Sequence, residues 1–480
     1  MNKHIYHPNP HTRTKLVSRN FILIPLYFVL TQGLGWRLEA ADVYVDANAA
    51  AGGNGSIASP FLRITDAIAR ARQLRQATVI SPNERIVIHV APGNYVGTFN
   101  NNPLDNNGNK EVLPIIVNVP NLTLSGATVL DHDSRSLPTG PANGPQTKLK
   151  SGTTLTDPGQ SLIVVGRTTD GWAGENVAVT GFTLEENGGV DSPGQTGIFV
   201  DRVSRFSITH NMFMHTGVGC LTRLSSGTFE DNCCVRNYGL GAAIHGGSGN
   251  HPAVVIVRQN RCTSGFGGID FRGTPTMRTL NVGANSLAIE PLPLVYDRNN
   301  PAEAANIPDT LDIRIEQNDF SVNDGYGLWC FGFAPFFGYS TSDATQPLTS
   351  AVRATITGNT VANNGFYGFI VEPVGAFRNN PRQYISSVNA TLQGNSFDGN
   401  GRSQAFFTFV SADVDLAGAS LQNLKYLQNS SYQLSDLDGE LTSFDYDNPV
   451  TDPFSGAALN NSLILNGGTV AAGVKVSSKK

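Results

Sequence analysis

Residues Ile356–Val371 read ITGNTVANNGFYGFIV, and this stretch decides the fold. Apolar and polar residues alternate up to Asn359, alternate again after it, and then give way to a glycine-punctuated bend and a short apolar run. A period of two is strand patterning, and one Asn interrupting it marks a tight turn between two strands. The same outline stands in IEQNDFSVNDGYGLWC (Ile315–Cys330) and VRQNRCTSGFGGIDF (Val257–Phe271). Aligned on the residue after the strand, the copies fall at Phe182, Asn211, Asn232, Asn260, Asn318, Asn359 and Asn395. Three positions earlier stand Val179, Ile208, Phe229, Val257, Ile315, Ile356 and Leu392; two positions later stand Leu184, Phe213, Cys234, Cys262, Phe320, Val361 and Phe397. All of these are apolar or Cys. Asn suits the turn because it tolerates the left-handed backbone conformation and hydrogen-bonds nearby backbone.

Spacings between the anchors are 29, 21, 28, 58, 41 and 36 residues. A 21-residue unit made of strands alone cannot bury its own apolar face, so successive units must stack. Strand repeats stacked in register give a parallel β-solenoid, with Phe213, Cys234 and Cys262 in one inward column. A propeller is the alternative, but its units of roughly 40 residues hold four antiparallel strands, and no hairpin turns are placed to make them. Cys234 and Cys262 on adjacent coils would lie about 4.8 Å apart, which fits a disulfide or a pair of buried thiols equally.

The bulk numbers agree. There are 51 glycines and 26 prolines among 480 residues, charged residues make up 15 %, and the formal net charge is −5. A turn-rich β protein has this composition, whereas a nucleic-acid binder shows a basic excess. Five cysteines, irregularly spaced, define neither a disulfide scaffold nor a zinc site. At the N-terminus His4, Arg13, Lys15 and Arg19 precede FILIPLYFVL (Phe21–Leu30), and the small residues Ala40 and Ala41 follow. A ten-residue apolar run with these flanks reads as a secretory signal, since about 20 apolar residues are needed to span a membrane. The expected organisation is a signal peptide over 1–41, an N-terminal cap and first coil over 42–118, repeats over 119–410, and a C-terminal cap and tail over 411–480. The expected product is a secreted, extracellular or periplasmic monomer with no membrane partner once the signal is removed.

Ahead of the repeats, Ile64, Ile68, Ala71 and Leu74 follow helical spacing after Ser59-Pro60, which predicts one amphipathic helix over Phe61–Leu74. A solenoid end exposes strand edges and apolar core, and a helix there would cover them. The residues VDANAAAGGNGSIASPFLRITDAI, with IHVAPGNY after them, resemble the N-terminal signature of secreted right-handed parallel β-helix proteins of the pectate-lyase-like superfamily. The resemblance runs from about Val43 to Phe409. It implies an all-β, right-handed parallel β-helix of three sheets with an N-terminal capping helix, and a polysaccharide or surface glycan as partner. It constrains fold more than function.

After each turn the copies carry a glycine-rich bend and a further strand: GIFVD, CLTRL, AAIHG, GIDFRG, GLWCFG and GFIVEP. With Ile269 and Phe271 inward, Asp270 and Arg272 share the outer face, and the same parity puts Glu372 outward. Thr222, Cys330 and, with a one-residue register slip, His245 are expected on that face too. The longest irregular segments begin where these strands end, which would raise a wall along the ladder. His245, Asp270, Arg272 and Glu372 are the candidate catalytic residues, and Arg223, Trp329, Phe336 and Tyr339 the candidate substrate contacts. Elimination from a uronate needs a carboxylate partner (Ca²⁺ held by Asp270 and Glu372, or an arginine), a base for the C5 proton and an acid for the leaving oxygen, with Arg272 or His245 as base or carboxylate partner. The adjacent aspartates and RIK-like motif of the superfamily's galacturonan hydrolases are absent. The rival expectation is a non-catalytic adhesin or surface-structural protein that binds glycan.

Overall fold

The computed structural model describes residues 41–99, 111–130, 146–152, 161–166, 175–185, 196–237, 240–246, 253–263, 267–272, 280–282, 285–287, 309–323, 326–331, 348–371, 384–408, 429–435, 444–447, 462–466 and 475–476. The expected signal segment, apart from its last residue Ala41, lies outside the described residues.

Strand pairing gives three long sheets, every pair in them parallel. The first has twelve strands, from Ala41–Val45 to Ser462–Asn466. The second has seven, from Glu111–Val112 to Arg261–Thr263, and isolated bridges at Asp319 carry its line on to the pair Thr360–Ala362 and Ser396–Asp398. The third has eleven, from Ile115–Val117 to Lys475–Val476. The chain visits the sheets in turn and returns to the first one strand further on. That is a parallel β-helix, right-handed as strand twist imposes on parallel crossovers. One antiparallel pair, Leu280–Val282 with Asn285–Leu287, stands outside the three sheets among the described residues.

The anchor positions do what their pattern requires. Val179, Ile208, Phe229, Val257, Ile315, Ile356 and Leu392 form one continuous register row of the first sheet, all buried. Leu184, Phe213, Cys234 and Cys262 form a row of the second, with Phe320, Val361 and Phe397 buried beyond them. Stacking like on like lets each side chain bury its area against the coils above and below, which no single coil provides.

The corners differ from expectation in one respect. The left-handed residue is the one before the Asn: His210, Asp231, Gln259, Gln317, Gly358 and Gly394 have φ between 53° and 64°. The Asn itself turns inward. Its Oδ1 accepts from the backbone N–H and from the Nδ2 of the Asn one coil earlier. The N–H contacts are 3.0 Å for Asn211 to Asn232, 3.0 Å for Asn232 to Asn260, 2.9 Å for Asn260 to Asn318, 2.9 Å for Asn318 to Asn359 and 3.1 Å for Asn359 to Asn395. Each Nδ2 also reaches a backbone carbonyl, as Asn260 does to Phe229 O at 2.9 Å. Polar groups buried at a bend must be paired, and the ladder pairs them coil by coil. A second ladder stands five residues on, where Asn323, Asn364 and Asn400 repeat the contacts and Asn237 receives Thr216.

The helix spans Ile64–Gln76, shifted slightly along the chain from the expected range. It packs on strands at the leading end of all three sheets, with Ile64, Ala67, Ile68 and Ala71 buried. Its N-terminus is capped from a distance. Glu111 Oε1 accepts from Ile64 N at 2.7 Å, while Oε2 accepts from Thr65 N at 3.2 Å and Thr65 Oγ1 at 2.9 Å. A carboxylate there meets both the unpaired N–H groups and the positive end of the helix dipole. At the other end, the first sheet continues past residue 410 with Asn429–Ser435 and Ser462–Asn466, and the third with Phe444–Asp447 and Lys475–Val476. Strand pairing in the same sheets therefore runs well into the region expected to be a terminal cap.

Candidate functional site

The third sheet positions the candidate residues, and a glycine row sets its phase. Gly197, Gly219 and Gly241 stack, and a Cβ on Gly219 would stand 2.3 Å from the Gly241 carbonyl oxygen. Only glycine allows so close an approach. Two residues further on, Phe199, Leu221, Ala243, Asp270, Trp329 and Ile370 share one register row. Four residues on from the glycines, Asp201 pairs with Arg223, and His245 pairs with Arg272 in the next two strands. Successive coils are about 4.8 Å apart, so Asp201, Arg223, His245 and Arg272 stand in line at the C-terminal ends of four adjacent strands. No register slip is needed at His245. The chain then turns through left-handed residues, Arg202 and Leu224, at φ 57° and 49°.

Thr222 is a correction. It lies between Val200 and Ile244, both core residues, and is itself fully buried, so it faces inward. Cys330 is in register with Phe271 and Val371 in the same row, away from the row of Asp270. Residues two apart share a face, and Val200 and Val371 fix which face this is.

Both faces of this sheet are dry over Ser161–Gly166, Thr196–Asp201, Val218–Arg223 and Tyr367–Val371. Arg223, expected to contact substrate, is 2 % exposed and committed to Asp201, itself 1 % exposed. Its Nε donates to Asp201 Oδ1 at 2.9 Å and its Nη2 to Oδ2 at 2.5 Å, while the guanidinium lies 5.4 Å from the Phe199 ring centre. The Ser225 hydroxyl donates to the Arg223 carbonyl at 2.7 Å and accepts from Val203 N at 3.0 Å, tying the two coils just past the pair. Asp201 was not singled out from the sequence. Its signal was its place four residues after a glycine, shared with Arg223, His245 and Arg272.

For His245, Asp270, Arg272 and Trp329 the backbone register is what is described. It places them side by side, His245 with Arg272 and Asp270 with Trp329. Glu372, Phe336 and Tyr339, and most of the expected loop wall, lie outside the described residues. Among the described residues no group of three His, Cys, Asp or Glu side chains is placed to hold a metal. No described helix is long and apolar enough to cross a membrane.

No protein-family model matches the chain, and no curated protein does. Among solved structures it is similar to the A-module of mannuronan C-5 epimerase AlgE6 from Azotobacter vinelandii, at 14 % identity over 86 % of this chain and 92 % of that one, with a TM-score of 0.40. It is similar also to a rhamnogalacturonan lyase, at 11 % identity over 88 % and 87 %, TM-score 0.40. A third is DFA-IIIase from Arthrobacter chlorophenolicus A6 in complex with GF2, at 12 % identity over 91 % and 99 %, TM-score 0.34. The parallel β-helix rests on the strand order above, and no residue role is carried over from these proteins.

Proposed function

We propose that this is an exported protein that binds an acidic polysaccharide where the strands of His245 and Arg272 end in the third sheet, and abstracts the proton at C5 of a uronate unit. The observation that carries this reading is the register of His245 with Arg272, side by side at the C-terminal ends of two adjacent interior strands of the third sheet. About 4.8 Å between them lets one sugar meet both. Arg272 pairs with the uronate carboxylate, which draws electron density from C5, and His245 takes the C5 proton. The electron pair left at C5 is held in the carboxylate as an enolate. Expulsion of the oxygen at C4, which leaves with the C4–O electron pair and takes a proton from water to become a hydroxyl, forms the C4–C5 double bond and makes the reaction a lyase reaction. Return of a proton to the opposite face makes it an epimerisation.

Asp270 with Glu372 was expected to hold Ca²⁺, which takes six to eight oxygen ligands. The row neighbours of Asp270 are Ala243 and Trp329, neither of which brings a carboxylate, so no step here runs through the ion. The second reading is a non-catalytic glycan-binding adhesin or surface-structural protein. It is favoured by the commitment of Arg223, expected to contact substrate, to Asp201.

The test is incubation with pectate, alginate and glycosaminoglycans in D₂O, with added Ca²⁺ or with chelator. Unsaturated uronate absorbance reports elimination, and deuterium at C5 reports epimerisation. Activity lost in His245→Ala and Arg272→Ala supports the proposal. Saturable binding with neither product transfers it to the second reading, and no binding to any of these polymers overturns both.

A further inference from the structure

We propose that Cys234 and Cys262 are a disulfide site that, on oxidation, cross-links two adjacent coils through the interior of the helix. Both thiols are free in this structure and fully inside the core, at 2 % and 1 % exposure. They are direct register partners in the strands Cys233–Val235 and Arg261–Thr263. In-register parallel neighbours stand about 4.8 Å apart at Cα, inside the range that a disulfide spans, roughly 4.4–6.8 Å. The Cys234 thiol donates to the Gly241 carbonyl oxygen at 3.4 Å, so it is turned toward the coil stretch over which Cys262 also lies.

Gly241 clears the space. A Cβ built there would lie 3.0 Å from Cys262 Cβ, 3.2 Å from Cys234 Cβ and 2.7 Å from Cys262 Sγ, so both cysteines lean over one point that carries no side chain. The remaining described thiols are worse partners. Cys233 packs on the other face with Met212, Met214 and Val235, and Cys220 belongs to the third sheet, in register with Ile198 and Ala242.

Bond formation removes one hydrogen from each thiol. A disulfide oxidant such as oxidised glutathione accepts the two electrons and two protons and leaves as two thiols. Burial holds the Cys234 thiol in its protonated form, and the thiolate is the attacking species. The bridge therefore forms while the coils assemble, before this row is sealed. Such bonds persist in oxidising compartments, in keeping with the proposed export, although the test does not depend on it.

The full chain is unfolded, refolded in a reduced and oxidised glutathione mixture, alkylated and digested without reductant. The expected product is a peptide pair joined through Cys234 and Cys262, two hydrogens lighter than its reduced form, with three of the five cysteines alkylated. Cys220→Ala should leave the bridge intact and Cys262→Ala should abolish it. Alkylation of all five cysteines in refolded protein, or a bridge between any other pair, overturns the proposal.

Discussion

Two arginine–aspartate pairs in this molecule have nearly the same geometry and opposite surroundings. On the outer face of the first sheet, Arg353 grips Asp312 through Nε and Nη2, and its side chain is 67 % exposed. On the third sheet, Arg223 grips Asp201 through the same two nitrogens at 2 % exposure. Both link paired strands of successive coils. What differs is whether water reaches the sheet's outer face. Wet charges exchange one set of good contacts for another and contribute little. Dry charges depend on each other, because removing either leaves the other desolvated and unpaired. The face that carries the candidate site is thus also the less forgiving one.

Substitutions can break or sharpen this contrast. Asp201→Ala should cost about 3–5 kcal/mol in urea unfolding, by stranding Arg223 inside the wall; a loss below 1 kcal/mol would mean that water reaches the pair. Asn318→Ala comes next, at about 2–4 kcal/mol. It removes the acceptor of the Asn260 backbone N–H and the donors to Val257 O and Asn359 Oδ1. An unchanged midpoint would show that the ladder is decorative.

Glu111 gives a slope instead of a step. Burial pushes its carboxyl group up against the pull of its hydrogen bonds to Ile64 and Thr65. The folded chain therefore keeps this proton to higher pH than the unfolded chain does. Stability falls as pH climbs from the ordinary carboxylate range through the raised folded value. Glu111→Gln should remove that fall in a series of melting curves, and an identical pH profile would refute the assignment.

Thr222→Val should be neutral or stabilising by up to about 1 kcal/mol. Among the described residues the Thr222 hydroxyl is buried in the core row without a hydrogen-bond partner. Arg353→Ala closes the comparison at well under 1 kcal/mol. If it matches Asp201→Ala, exposure is not what separates the two sheets.

The first sheet was the legible one. Its alternation, Ile313 and Ile315 in with Arg314 and Glu316 out, carries the inward row in the letters themselves. The third sheet reads SLIVVG, TGIFVD and VGCLTR, buried on both faces, and a strand covered on both sides loses its period-two signal. Parity is not written there, and Thr222 and Cys330, both expected outward, stand in the inward row with Val200, Ile244, Phe271 and Val371. The Asn anchors are legible and do hydrogen-bond nearby backbone, as Asn260 does to Arg258 O, but a residue that tolerates the left-handed conformation is not thereby the one that adopts it. Gln259 and Gln317 take that conformation while the amide beside them makes the ladder. The second ladder had a sequence signature of its own, Asn at positions n and n+5 in NCCVRN, NDFSVN, NTVANN and NSFDGN. Pairing of Asp201 with Arg223 depends on coil stacking, which no local pattern contains.

The asparagine ladder makes the protein a natural chassis for grafting. Asn211 clasps Asn232 across 21 residues of chain, and Asn260 clasps Asn318 across 58 with the same contact. The closure entropy separating those two spans is only about 0.9 kcal/mol, from three-halves RT times the logarithm of their ratio. New recognition segments can therefore be spliced between one rung and the next, while the clasp on either side holds the neighbouring coils in step.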